Sequence, residues 1–444
     1  MSTESRSHDE MLALGDAVLA RVPAGTEAEV TVTESAMALT RFANSGIHQN
    51  VADRTLRLRL RLVRDGRSGV AEMQVASDDA GDALVKSAEA IRSHSPSGEP
   101  VKPISPDGGA DTEAGYCERT ALVTPEERAD TVAAICAGAD SLGQKAFGTF
   151  ETGGTSIAMV STTGLRRAAR HTVAELIAVC RGADGSAYGA RHASDVSHID
   201  AAALIAEVTE RCARNQGADA TEPGTYEVVL SPYAVAEMLL YLGLMGLGGL
   251  AVAEHRSFMR FGERLMSESV TISDDVRRPE LAPFPFDGEG STTRPVTIID
   301  HGVCAAVVHD SVTEKRSGEP TTGHSLAQPN SEGPFPRYLC MENGSGDDAS
   351  MVAACTRGLL ITRFWYVRPV HPLTTSITGM TRDGTFLIED GRVVRPVRDL
   401  RFTQSIVDSL ADVRSIGAER RACRGYFGAT LAPWLHLGHF TFSS

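Results

Sequence analysis

Residues Leu56-Arg57-Leu58-Arg59-Leu60-Arg61-Leu62 alternate with a period of two, so every leucine falls on one face of the backbone and every arginine on the other. That pattern specifies a half-buried β-strand. Asp65-Gly66 follows and supplies the positive backbone dihedrals of a tight turn, after which Val70 to Val75 return as the partner strand. Upstream, Ala28, Val30 and Val32 alternate with polar residues and give another half-buried strand. Met11, Leu14 and Val18 share one face of a helix, and Leu84, Ala88 and Ile91 form the buried side of a second that begins after Ser77. A basic strand face invites a nucleic-acid reading. Charge argues against it, because 57 acidic against 43 basic side chains leave −14, and an acidic surface repels phosphate. The arginines are expected on a solvated or acid-paired outer face.

Further along, Ser95 to Gly115 (SPSGEPVKPISPDGGADTEAG) reads as a loop or linker within 94–116. Thr124-Pro125-Glu126-Glu127 is a helix start, with Thr124 as cap, Pro125 at the first helical position and Glu127 completing a capping box. Gly153-Gly154 separates two strand-like runs, and Leu204, Val208 and Cys212 lie on one face of another helix. Composition shifts across Asn215 to Gly224, which divides the chain into 1–220 and 221–444. The second part is strand-rich: Asp383-Gly384 and Asp390-Gly391 bracket Thr385 to Glu389 as short strands joined by tight turns. The expected fold class is α+β, an amino-terminal α/β domain of antiparallel sheet and flanking helices followed by a β-rich domain.

Tyr233 to Ala253 is apolar throughout except for Glu237 and long enough to span a membrane. Its four glycines, strand-like flanks and lack of basic neighbours favour a helix in the centre of a large core. Eight scattered cysteines without a C-x-x-C pair fit free thiols in a reducing cytosol. The polar start MSTESRSHDE has no signal-peptide character, so a cytoplasmic location is expected.

Five segments, in order, carry a family resemblance. They are Leu39–Asn50 (LTRFANSGIHQN), Phe261–Asp275 (FGERLMSESVTISDD), Phe286–Gly290 (FDGEG) with Thr292-Thr293-Arg294, Thr378–Gly391 (TGMTRDGTFLIEDG), and the ending from Ala432-Pro433 to Phe440-Thr441-Phe442. Together they resemble the TldD/PmbA family, most closely its TldE/PmbA-type subunit. The resemblance implies a barrel-like carboxy-terminal domain. It also implies a heterodimer with a TldD-type catalytic subunit that degrades or trims unfolded peptides.

The catalytic TldD-type member of that family carries H-E-x-x-x-H, with a later Cys completing a zinc site. Histidines a little over one turn apart can converge on the metal, while Glu serves as base for its bound water. Here the matching helix, Gly246 to Phe258, holds one histidine, His255, in the order Glu254-His255-Arg256. Leu250 and Ala251 stand one turn before it and Met259 and Arg260 one turn after, none a usual zinc ligand. Elsewhere, His301, Cys304 and His309 (HGVCAAVVH), read as one strand, would hold the histidines about 25 Å apart. His324 with Cys340 and His436 with His439 have no diagnostic spacing. No nucleophile elbow, Walker loop or dinucleotide fingerprint is present.

The expectation is therefore a non-catalytic metallopeptidase-family subunit that binds no metal itself, with zinc in a TldD-type partner. It would hold an extended peptide through an exposed strand edge and contact neither nucleic acid nor membrane. Glu254, His255 and Arg256 either line a shared peptide channel or lie on the surface of the helix end. Phe364, Trp365 and Tyr366 belong either to the partner interface or to the core. The rival readings are a self-sufficient metallopeptidase with atypical ligands and a peptide-binding module without protease activity.

Overall fold

Leucine and arginine faces meet different surroundings in the computed structural model, which describes residues 6–75, 80–98 and 115–443. The amino-terminal half runs α1 (His8–Leu19), β1 (Glu27–Ala43), β2 (Gly46–Arg64), β3 (Arg67–Gln74), α2 (Ala80–His94), α3 (Glu118–Ala121), α4 (Pro125–Ser141), β4 (Lys145–Ser161), β5 (Arg166–Arg181), β6 (Ser186–Ala193) and α5 (Ala201–Arg214). Its strands form one antiparallel sheet in the order β3-β2-β1-β4-β5-β6. Leu58, Leu60 and Leu62 stand opposite Val32, Val30 and Ala28, and all six are buried under α1 and α2. Each leucine so buried contributes about 1.5–3 kcal/mol. Asp65 and Gly66, both at positive φ, make the tight turn into β3.

The arginine face is acid-paired. Arg61 lies directly across from Glu29 and bonds it at 2.9 Å, both buried, and Arg54 reaches Glu34 at 3.0 Å. Arg59 donates to the carbonyl of Gln328 in the carboxy-terminal half, so part of this face is covered by protein.

Thr124 and Glu127 form the expected capping box, and Leu204, Val208 and Cys212 are buried on α5. Ile91 is exposed, because the last turn of α2 faces the sheet through Arg92, which Glu89 holds. Gly153-Gly154 does not separate two strands. β4 runs through both glycines, since a Cβ on Gly153 would lie 2.8 Å from Met37 Cα and collide with the Ala36 carbonyl. The start of α2 near Ser77 and most of the linker fall outside the described residues.

The carboxy-terminal half runs β7 (Gly224–Leu230), α6 (Pro232–Gly246), α7 (Gly249–Ala253), β8 (Ile272–Asp274), β9 (Val296–Asp300), β10 (Val303–Cys304), α8 (Ser311–Ser317), β11 (Leu339–Met341), α9 (Asp348–Ala354), β12 (Arg357–His371), β13 (Ser376–Glu389), β14 (Arg392–Pro396), β15 (Arg401–Ser405), α10 (Ile406–Ala411), β16 (Val413–Arg424) and β17 (Ala429–Ser443). Strands β17-β15-β13-β12-β7 follow one another, and β7 pairs back onto β17, which closes a barrel. One seam, β7 with β12, is parallel. Phe364, Phe402 and Phe440 fill the interior with ring centroids 4.6–5.4 Å apart. The fold is α+β.

The apolar run Tyr233 to Ala253 is buried as expected but broken into α6 and α7, where Gly248 passes against the Pro334 carbonyl. No described helix is long and apolar enough to cross a membrane. Asp383-Gly384 is not a turn. It is a bulge inside β13, at φ 58° and 125°, where the register with β12 slips, whereas Asp390-Gly391 does turn the chain into β14. HGVCAAVVH is not one strand either, because His301 and Gly302, both at positive φ, fold it into the β9–β10 hairpin.

Candidate functional site

Cross-strand register builds the floor of a cleft between the two sheets. Val51, Leu39, Glu151, Glu175 and His192 are successive partners across β2, β1, β4, β5 and β6, and so form one row. Four residues away, Ser35, Thr155 and His171 form a parallel row. Side chains at this spacing share a face. The opposite wall comes from the β16–β17 hairpin and its turn, Gly425 to Gly428, with Phe284, Arg337 and Tyr338 beside it.

This lobe encloses about 370 Å³. Arg424 reaches across it to Glu151 at 2.9 Å and Glu175 at 3.1 Å. Burial raises the Glu175 carboxyl, and the Arg424 charge works against that rise. His171 gives Nδ1 to the Ala282 carbonyl at 2.9 Å, and burial lowers its pKa to about 4. His192 is also lowered to about 4 by burial, and both its ring nitrogens are buried without a hydrogen-bond partner. Both imidazoles are therefore neutral at pH 7.

A second lobe of about 330 Å³ lies on the other side of Arg424, Gly425 and Tyr426, between α6, β12 and β16. Its helix side is Glu237 and Leu240, the half-buried positions of α6, with Tyr241 of the core beside them. Burial pushes the Glu237 carboxyl up, while Arg363 and Arg368 offset it. Arg363 is fixed by Asp383, 2.7 Å from Nε, and lies over the ring of Tyr188 at 4.1 Å. The aromatic run is split: Phe364 is core, but Trp365 and Tyr366 are exposed on the rim, and Tyr426 is 90% exposed. Cys423 is in this lobe, with burial pushing its thiol up to about 12.

Glu254, His255 and Arg256 form an exposed turn after α7, with His255 at positive φ and Arg256 paired to Glu254 at 2.6 Å. None lines either lobe. His324 is buried and bonds Asp274 at 2.9 Å, without Cys340, and His439 bonds Asp412, not His436. The FDGEG segment is a buried loop. Asp287 accepts from the backbone of Glu289, Ser291 and Ser325, and burial raises Asp287 to about 6 and Glu289 to about 7.

A zinc in the cleft would need converging nitrogen, sulfur or carboxylate donors. Neither α6 nor α7 carries a histidine, and Cys423 Sγ lies against the Pro232 and Arg421 carbonyls. The residues around the second lobe do not fit that ion. Among the described residues, the group of three such donors that does come together is Glu227, Cys355 and His436, outside the cleft.

A family model described as the PmbA/TldA metallopeptidase C-terminal domain matches residues 223–444. A metalloprotease of Archaeoglobus fulgidus is 28% identical over 175 residues, 38% of this chain and 39% of that protein. A metalloprotease PmbA homolog of Haemophilus influenzae is 24% identical over 161 residues, 35% of this chain and 32% of that protein. The chain thus spans less than two-fifths of these relatives' own length. The solved structure of TldE from Thermococcus kodakarensis matches with a TM-score of 0.86 at 17% identity, over 99% of this chain and 100% of that one. At that identity the likeness speaks for the fold alone.

Proposed function

Because the chain belongs to the PmbA/TldD family of metallopeptidase-related proteins, we propose that it is the peptide-holding subunit of a TldD/TldE-type complex, without a catalytic metal in its cleft. A TldD-type partner supplies the zinc, and the complex degrades or trims unfolded peptides in the cytoplasm.

The observation that carries this reading is an open strand edge on the sheet that floors the cleft. β2 pairs with β1 along its whole length, but β3 covers it only from Arg57 onward, so among the described residues no strand covers the Gly46–Thr55 edge. The Leu56 carbonyl points to the β3 side, where Val75 N–H meets it. Alternation then aims the main-chain groups of Asn50, Ala52 and Arg54 at the open edge. An extended peptide added there gains main-chain hydrogen bonds without side-chain selection, as disposal of unfolded chains requires. Val51 starts the row that ends on His192, so the open edge belongs to the same sheet whose Glu151 and Glu175 hold Arg424. Trp365, Tyr366 and Tyr426 on the rim supply apolar surface for the partner.

The test is affinity purification of the tagged chain from its native host, with zinc content and casein hydrolysis measured on isolated and co-purified material. An inert isolated chain and an active, zinc-bearing companion support the proposal. Peptide hydrolysis by the isolated chain overturns it.

A further inference from the structure

Three side chains from distant parts of the sequence converge on the outer face of the barrel. On β7, Tyr226, Val228 and Leu230 point into the core, so Glu227 points outward. On β17, Leu435 and Leu437 point inward and His436 outward, and β7 and β17 are antiparallel neighbours with His436 opposite Val229. His436 Nε2 lies 3.0 Å from a Glu227 carboxylate oxygen. Cys355 comes from above. It ends α9, its N–H bonded to the Val352 carbonyl and its own carbonyl taken by Gly391 N–H. The thiol can lie over β7 because Gly358, which pairs with Glu227, has no side chain, and a Cβ there would collide with Cys355 Sγ.

We propose that Glu227, Cys355 and His436 form a binding site for one zinc-class divalent cation, which clips α9 to the β7–β17 seam. One oxygen, one sulfur and one nitrogen donor lie within 4.8 Å of one another. Tetrahedral zinc, at about 2.0–2.3 Å from its ligands, sets them about 3.3–3.6 Å apart, a contraction that rotation of Cys355 and Glu227 supplies. Cys355 and His436 are buried, while Glu227 is one-third exposed and opens onto a surface cavity beside Arg357 and Gly438. A water on that side completes four-coordination. On binding, the Cys355 thiol passes its proton to solvent, and thiolate and carboxylate together neutralise the ion's double charge. Glu227, Cys355 and His436 line neither lobe of the cleft, so the site is independent of the peptide-holding role. It departs from the expectation of a chain that binds no metal.

The experiment strips the full chain with a chelator and titrates zinc back against a chromophoric competitor. Wild type is expected to take up one equivalent. Cys355→Ser and His436→Gln are each expected to weaken binding by about a hundredfold or more, the upper end of what outer-shell changes alone cost. Cys423→Ser in the cleft should keep the wild-type equivalent. In the cobalt-loaded chain, a thiolate-to-cobalt charge-transfer band should vanish in Cys355→Ser and persist in Cys423→Ser. Thermal melts of the stripped variants separate loss of fold from loss of ligand, with Glu227→Gln as the substitute if Cys355→Ser does not fold. Failure of wild type to bind, or unchanged affinity in Cys355→Ser and His436→Gln, overturns the proposal.

Discussion

Arg421 on β16 grips Glu207 on α5 with two hydrogen bonds, of 3.0 and 3.3 Å, and so ties the carboxy-terminal half to an amino-terminal helix. The same carboxylate also meets Arg191 at 2.7 Å and Arg211 at 3.1 Å, and Tyr233 takes the remaining Arg421 bond at 2.6 Å. One acid thus serves three guanidinium groups. Burial alone would raise the Glu207 carboxyl, but the charges of Arg421 and then Arg211 overcome it and hold it at about 2.

Glu207→Gln should therefore destabilise the protein. The folded pKa lies below the unfolded one, so the ionised carboxylate's contribution is fully present above about 4.5 and is lost as pH falls toward about 2. The separation is worth on the order of 3 kcal/mol. In thermal melts, Glu207→Gln should lie well below wild type at pH 7, and the gap should close as pH falls through that window. A gap that does not change with pH would contradict the assignment.

Ala52→Pro tests the open edge of β2. Its N–H faces outward and takes no part in the β1 ladder, so proline is tolerated there. The melting temperature should change little, while affinity for an unfolded peptide, read by fluorescence anisotropy, should fall about tenfold, the worth of one main-chain hydrogen bond. Val51→Pro, which removes an inward donor, should destabilise the sheet instead. Equal peptide affinity in wild type and Ala52→Pro would remove the edge from the binding account.

Gly153→Ala should cost about 1–3 kcal/mol, because the added methyl meets the Ala36 carbonyl and the backbone at Met37. Urea unfolding should show a lower midpoint with an unchanged slope. A neutral result would mean that β1 and β4 separate without penalty.

Thr124→Ala removes one arm of the capping box on α4, where Thr124 Oγ1 accepts from Glu127 N–H at 3.2 Å. The expected loss is about 1 kcal/mol by urea unfolding. Thr124→Ser should restore most of it.

Local signals were legible and convergent ones were not. The Leu56–Leu62 alternation fixed a strand, its face and its turn, because a period of two has one structural solution. Thr124 to Glu127 named a helix start through side-chain chemistry confined to four residues. Glycine pairs misled, since Gly153-Gly154 and Asp383-Gly384 carry the same freedom whether the chain turns, bulges or passes close to a neighbour. The cleft was out of reach because Glu151, Glu175 and Arg424 meet only after both sheets have formed. His436 stands three residues from His439 in sequence, while its partner in space, Glu227, lies 209 residues away. The pair Gly358 and Cys355 gives no signal at all until β7 and β12 run parallel.

The β7–β17 seam also sets an order of events during synthesis. Gly224 and Phe442 are ladder partners, yet roughly two hundred residues separate them, so the ring stays open until β17 has left the ribosome. Tyr226, Val228 and Leu230 emerge early and wait with their apolar faces uncovered. A nascent chain of this design invites chaperone attention before its closing strand arrives, so the proposed handler of unfolded peptides must itself pass through that condition.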